Sequence, residues 1–121
     1  MKAVFDTNIL IDYLNGVDET RKELALYDEP AISVVTWMEV LVGADSDGEK
    51  EVVRGFLNRF AVIALTSEVA EKAVELRKAH CMRLPDAIIW ASALTQSCLL
   101  VSKNTRDFPV HHPSLRVPYR L

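Results

Sequence analysis

An α/β fold with a largely parallel sheet is predicted by three features of the sequence. Short β-type runs alternate with longer helical patterns, the runs are apolar throughout, and turn residues separate them. A strand covered on one face alternates apolar with polar residues, whereas a continuous apolar run suits a strand covered by helices on both. Half of the 121 residues are apolar and the length suits one core, so a single domain over residues 1–121 is expected.

The first strand is read at Lys2–Phe5, with a helix near Ile9–Leu14 and a second near Glu19–Tyr27. A second strand follows at Ala31–Val35, then helices at Trp37–Gly43 and Glu49–Asn58, with Gly43 to Gly48 as the loop between them. After a strand at Ala61–Leu65, the helix Glu68–His80 repeats Val69, Ala73, Leu76 and His80 at a 3.6-residue period opposite Glu68, Glu71, Lys72 and Glu75, so it buries one stripe. The helix Pro85–Ser97 differs, because Ala87, Ile88, Ile89, Trp90, Ala91, Ala93 and Leu94 ring its axis and require packing on most sides. Leu99–Ser102 is the fourth strand. Leu115–Tyr119 adds an extended edge, where Pro118 is tolerated because an edge leaves some N–H groups unused.

Apolar stretches fall far short of the roughly 20 residues that cross a bilayer, and charged Asp6 soon follows Lys2-Ala3-Val4-Phe5, unlike a secretory signal. No membrane association and a cytoplasmic location are expected. Cys81 and Cys98 have no C-x-x-C spacing and read as core or near-core thiols. His80, His111 and His112 fall in two places and do not form a tetrahedral zinc site. The net charge of -3 conceals a polarity: residues 1–76 carry 7 Lys/Arg against 15 Asp/Glu, and residues 77–121 carry 7 against 2. Arg77, Lys78, Arg83, Lys103, Arg106, Arg116 and Arg120 can form a region that meets phosphates, the alternative being scattered solvated charge.

Four acids fall at positions that an α/β sheet brings together. Asp6 follows the first strand, Glu39 lies in the first turn of the helix after the second, Asp86 opens the helix after Pro85, and Asp107 comes five residues after the fourth strand. Ligands of open α/β sheets gather beyond the carboxyl ends of the strands. Each acid also has a purely structural reading: Asp6 as a cap, Thr36-Trp37-Met38-Glu39 as a capping box, Asp86 as a partner of the helix dipole, Asp107 as a turn residue. The set implies more than its members. Carboxylates about 4 Å apart repel by roughly 4 kcal/mol per pair at an effective dielectric near 20, so a cluster needs protons or cations. Oxygen donors suit Mg²⁺ or Mn²⁺. Such ions lower the pKa of bound water and screen charge on a phosphodiester, whose hydrolysis is the natural chemistry.

Four blocks carry a family resemblance. Val4-Phe5-Asp6-Thr7-Asn8-Ile9 resembles the opening strand and D-T-N signature of PIN domains, and Ser33-Val34-Val35-Thr36-Trp37-Met38-Glu39-Val40 their S-x-x-x-x-x-E segment. Leu84-Pro85-Asp86-Ala87-Ile88-Ile89-Trp90-Ala91 is similar to the L-P-D-A-x-I-A-A block, and Leu100-Val101-Ser102-Lys103-Asn104-Thr105-Arg106-Asp107-Phe108 to V-T-x-N-x-x-D-F. Ser102 replaces the commoner Thr, and His80-Cys81-Met82 stands where relatives often have a Gly-containing turn.

The resemblance implies a PIN-like three-layer α/β/α domain with a central, mostly parallel four- to five-stranded sheet. It implies a Mg²⁺- or Mn²⁺-dependent endoribonuclease of the VapC toxin type, with RNA as substrate, a small cognate antitoxin as partner, and a homodimer that lines two sites along a basic groove. Asp6, Glu39 and Asp86 would be the main metal carboxylates, and Asp107 the fourth acid, a place that relatives also give to the position of Asn104. Thr7, Asn8, Ser102 and Asn104 would orient them, and Arg83, Lys103 and Arg106 would face RNA. A PIN domain that processes RNA without a toxin role is an alternative. A catalytically silent RNA- or protein-binding PIN domain would have lost acids that are all present here. An aspartyl-phosphate enzyme or receiver, with Asp6 phosphorylated and Lys103 completing the site, fails: Asp6-Thr7-Asn8-Ile9 is not D-x-D-x-T, and Leu65-Thr66 stands where a receiver needs an acid. Trp37 and Trp90 are expected in the core rather than at an interface, while Tyr13 and Tyr27 fit either.

Overall fold

In the computed structural model, which describes residues 1–120, polar side chains end the strands and start the helices. Strand β1 (Lys2–Phe5) stops at Asp6, whose carboxylate accepts from Thr7 N at 2.8 Å and opens α1 (Thr7–Leu14) two residues earlier than the apolar pattern indicates. Helix α2 (Asp18–Leu24) and β2 (Glu29–Ser33) follow, and Ser33 Oγ accepts from Val35 N at 3.1 Å to start α3 (Val34–Val42).

The expected strand Ala31–Val35 therefore ends two residues early. Val34 and Val35 favour strands by β-branching, but a serine cap and the packing of the helix override that preference. Two further readings fall with this boundary. Glu39 lies in the second turn of α3, and Thr36-x-x-Glu39 is no capping box, since Thr36 is fully buried inside the helix.

Helix α4 (Asp47–Leu57) is capped by Ser46, whose hydroxyl accepts from Glu49 N, so Gly48 belongs to the helix and not to the loop. Strand β3 (Ala61–Ile63) leads through the Thr66 cap into α5 (Ser67–His80); α6 (Leu84–Thr95), β4 (Leu99–Val101) and β5 (Leu115–Arg116) complete the chain. The last strand is shorter than expected and stops before Pro118, which has no N–H to give a ladder.

All five strands are parallel, in the order β3-β2-β1-β4-β5, with Ala3 beside Leu99 and Val4 beside Ala31 in register. Successive residues of a strand point to opposite faces, and the core divides accordingly. Phe5, Ile32 and Val101 pack under α1 to α4, whereas Val4, Ala31 and Leu100 pack under α5 and α6. This is the three-layer α/β/α arrangement. The central strands are covered on both faces, but at the β3 edge Ala61 and Val62 are exposed.

Trp90 is fully buried in α6, its indole N–H donating to Ser114 Oγ at 2.9 Å, while Trp37 is half-buried. Val69, Ala73 and Leu76 line the buried stripe of α5. His80 is exposed, although its ring lies 5.0 Å from that of Trp90. Cys98 is half-buried, but Cys81 is exposed; it ends α5 in the left-handed conformation, φ 54°. Among the described residues no helix is long and apolar enough to cross a membrane.

Candidate active site

The chain runs from β1 to β2 and β3 on one side and returns to β4 on the other, so the strand order reverses between β1 and β4. A crevice opens beyond the carboxyl ends of two such strands. Asp6 and Ser102, the residues directly after them, meet there. Ser102 Oγ donates to Asp6 Oδ2 at 2.7 Å, and Asn8 Nδ2 reaches the same oxygen at 3.3 Å.

From Asp6 a chain of hydrogen bonds runs both ways along the edge. Thr7 bonds to Asp6 through its N–H, and its hydroxyl donates to Glu39 Oε1 at 2.6 Å. With that proton engaged, the Thr36 hydroxyl, 3.0 Å away, donates to Thr7 in turn. On the other side Asn104 N donates to Ser102 Oγ at 3.0 Å, and Asn104 Nδ2 to Asp107 Oδ2 at 3.0 Å; Asp107 N returns a bond to Asn104 Oδ1. Glu39, Asp6 and Asp107 are thus fastened to one network, the first two through a single threonine.

Asp86 stands outside that network. It is buried in the first turn of α6, and among the described residues its Oδ2 has no hydrogen-bond partner; Arg83 Nε comes only to 3.5 Å, and most of the Arg83 side chain is in solvent. Burial pushes the Asp86 carboxyl above its ordinary value, opposed by Arg83 and reinforced by Asp107 and Glu39. Burial likewise drives Asp6 from 3.8 up to about 6; the bonds from Ser102 and Thr7 oppose the rise, and the charges of Asp86 and Glu39 add to it. The four acids therefore share one electrostatic field.

Among the described residues no three His, Cys, Asp or Glu side chains are drawn tightly enough together to hold a metal ion as they stand. The donor set nevertheless suits a hard divalent cation. Every candidate atom is an oxygen, and a buried carboxylate oxygen without a donor is satisfied by a proton or a cation.

The basic residues divide in use. Lys103 Nζ lies 2.6 Å from Asp12 Oδ2, and Arg116 forks onto both oxygens of Glu23 at 2.6 and 2.9 Å, so these two charges are offset inside the protein. Arg106 is exposed in the turn after β4. Asp12 and Glu23 are buried carboxylates that sequence reasoning alone does not single out, as is the Thr36 hydroxyl among neutral groups. For Asp12 a signal exists, a charge three residues after Ile9 on the apolar face of α1.

The fold and much of the sequence have counterparts. A chain of a toxin–antitoxin complex from Klebsiella pneumoniae is 40% identical, superposes with a TM-score of 0.92, and is matched over 98% of this chain and 99% of its own. DNA-bound VapBC from Salmonella typhimurium aligns at 25% identity, TM-score 0.77, over 96% of each chain. VapBC2 from Rickettsia felis, bound to a promoter DNA fragment, has the same fold at 24% identity and TM-score 0.77, over 95% of this chain and 96% of its own. No curated protein sequence matches. The PIN domain family model matches residues 3–110, a stretch that includes Asp6, Glu39, Asp86 and Asp107 with the side chains that hold them, and the chain belongs to the PIN domain family.

Proposed function

We propose that this chain is a divalent-metal-dependent endoribonuclease and the toxin component of a toxin–antitoxin pair. The reading rests chiefly on the hydrogen-bonded line from Glu39 through Thr7, Asp6, Ser102 and Asn104 to Asp107, with the donor-free Asp86 oxygen beside it. Mg²⁺ or Mn²⁺ held by Asp6, Glu39 and Asp86, with Asp107 close by, would supply the Lewis acid that polarises a phosphodiester and makes water a nucleophile near neutral pH. The protein's own part is orientation. Ser102 and Thr7 fix both oxygens of Asp6, Thr7 also fixes Glu39, and Asn104 fixes Asp107, so the carboxylates lose little freedom on meeting substrate. Water rather than the ribose 2′-hydroxyl is the nucleophile, which leaves 5′-phosphate and 3′-hydroxyl ends.

Support for the antitoxin comes from an apolar groove of about 560 Å³ lined by Ile11, Leu14, Val40, Val52 and Val53, with Glu39 in its wall. Ile11, Leu14 and Val52 are exposed there, and exposed apolar patches of this kind mark partner surfaces. An apolar segment of the antitoxin seated in the groove would cover Glu39 and block the nuclease. The toxin–antitoxin complexes among the solved relatives accord with this.

Incubating total RNA with the protein and Mg²⁺ or Mn²⁺ tests the activity. Cleavage with 5′-phosphate ends is expected, together with a loss of at least about 100-fold in Asp6→Asn and Asp86→Asn. Cyclic 2′,3′-phosphate ends, or unchanged cleavage by both variants, would overturn the reading.

A further inference from the structure

Beyond Asn8 and Asn104 the crevice continues into a hollow of about 420 Å³ whose wall is Asn8, Lys103, Asn104, Tyr119 and Arg120. Among the described residues that wall contains amide, ammonium, phenol and guanidinium side chains and no side-chain carboxylate. Two of its members also belong to the acid network: Asn8 Nδ2 reaches Asp6, and Asn104 holds Ser102 and Asp107. The hollow is thus a continuation of the site.

Tyr119 and Arg120 lie beyond residues 3–110, the stretch that the PIN family model matches. They are brought in by a tail fastened at two points. Arg116 forks onto buried Glu23, and Tyr119 OH donates to Asp12 Oδ2 at 2.8 Å, the oxygen that also meets Lys103 Nζ. Because Asp12 offsets the charge of Lys103, the surplus positive charge in the wall, among the described residues, is that of Arg120, which is exposed.

We infer that this hollow takes the phosphate and sugar of a nucleotide adjacent to the scissile one in single-stranded RNA, with Arg120 as its charged contact. The inference rests on the ribonuclease reading of the neighbouring acids. A guanidinium pairs with two phosphate oxygens at once, and the amides and phenol supply hydrogen bonds to sugar and phosphate whatever the base. The tail therefore adds affinity and register to a site whose acids repel the same substrate.

The test is fluorescence anisotropy of a labelled single-stranded oligoribonucleotide with the full chain in EDTA, over a salt series. Arg120→Gln should weaken binding about tenfold at low salt and lower the slope of log K against log salt by about 0.7, one phosphate contact on a single strand. Arg120→Lys should restore the slope. Tyr119→Phe, which releases the tail from Asp12 without changing charge, should weaken binding at an unchanged slope. Under cleavage conditions Arg120→Gln should raise KM more than it lowers kcat. If the wild type binds and cuts RNA while Arg120→Gln keeps its affinity and slope, the subsite is overturned and the nuclease reading stands. If the wild type neither binds nor cuts RNA, both are overturned. An unchanged urea midpoint confirms that each variant is folded.

Discussion

Ser102 Oγ and Asp6 Oδ2 lie 2.7 Å apart although 96 residues separate them, because β1 and β4 are neighbours in the sheet and end at the same level. Ser102 also accepts from Asn104 N, so one hydroxyl couples the first acid of the network to the last.

Removing that hydroxyl should disturb the site more than the fold. Ser102→Ala is expected to lower kcat about 10- to 100-fold, the usual effect of losing a group that orients a ligand, while Ser102→Thr keeps most activity. Because the Ser102 bond opposes the rise in Asp6 pKa, the alanine variant should also need a higher pH for half-maximal rate. A wild-type rate and pH profile in Ser102→Ala would show that Asp6 is held without it.

Burial, with the smaller contributions of Asp86 and Glu39, raises Asp6 to about 6 from 3.8. The folded state therefore holds its proton more tightly than the unfolded chain does. By linkage, the contribution of Asp6 to the stability of the metal-free protein falls as pH rises from about 4 to about 6 and then levels off, a change of about 3 kcal/mol for this group. Under the proposed function, cation binding and cleavage should run the other way and increase through pH 6, where Asp6 ionises. Urea titrations in EDTA at about pH 4.5 and 7.5, on either side of that ionisation, check the first statement. In Asp6→Asn the decline should shrink by the Asp6 share and leave that of Asp86, whose carboxyl is also raised, and the variant should be at least as stable as wild type at the higher pH.

Glu23 is the fixed point of the tail. Burial raises its pKa, but the bonds from Arg116 and Tyr27 and the guanidinium charge outweigh that, and the carboxyl sits below its ordinary value. The Tyr27 hydroxyl, pushed up to about 12 by burial and by Glu23, stays protonated and keeps donating. The stabilisation is present above the ordinary Glu value of 4.5 and is lost as pH falls through the lowered one. Glu23→Ala should cost about 2 kcal/mol, since it strands Arg116 and Tyr27. A urea midpoint within error of wild type would mean that the tail is held by apolar contacts alone.

Cys81 ends α5 at φ 54° with its side chain in solvent. The left-handed region costs a side-chain-bearing residue about 1 kcal/mol that glycine avoids. Cys81→Gly should therefore raise the melting temperature by about 4 °C without affecting cleavage, as differential scanning calorimetry can measure. A lower melting temperature would mean that the thiol makes a stabilising contact.

Much of this molecule is legible in its residues. The end of β1 is plain because Asp6 both closes an apolar run and caps α1, and the all-round apolar pattern of α6 allows only a buried helix. The four acids can be read as neighbours from their places after strands and at a helix start. The β2 to α3 boundary is not legible, because Val34 and Val35 suit either state and a cap decides between them. The same early helix start moves Glu39 on by one turn.

The sequence by itself determined the alternation of elements, the class of sheet and the identity of the acids, since these depend on local periodicity and local turn chemistry. Only the tertiary structure decided which charges are spent on one another. Lys103 and Arg116 look like the other basic residues in the chain, yet each is taken by a buried carboxylate on α1 or α2, 91 and 93 positions away. Pairing across such distances is set by which strands and helices pack together, and that information is held by no single segment.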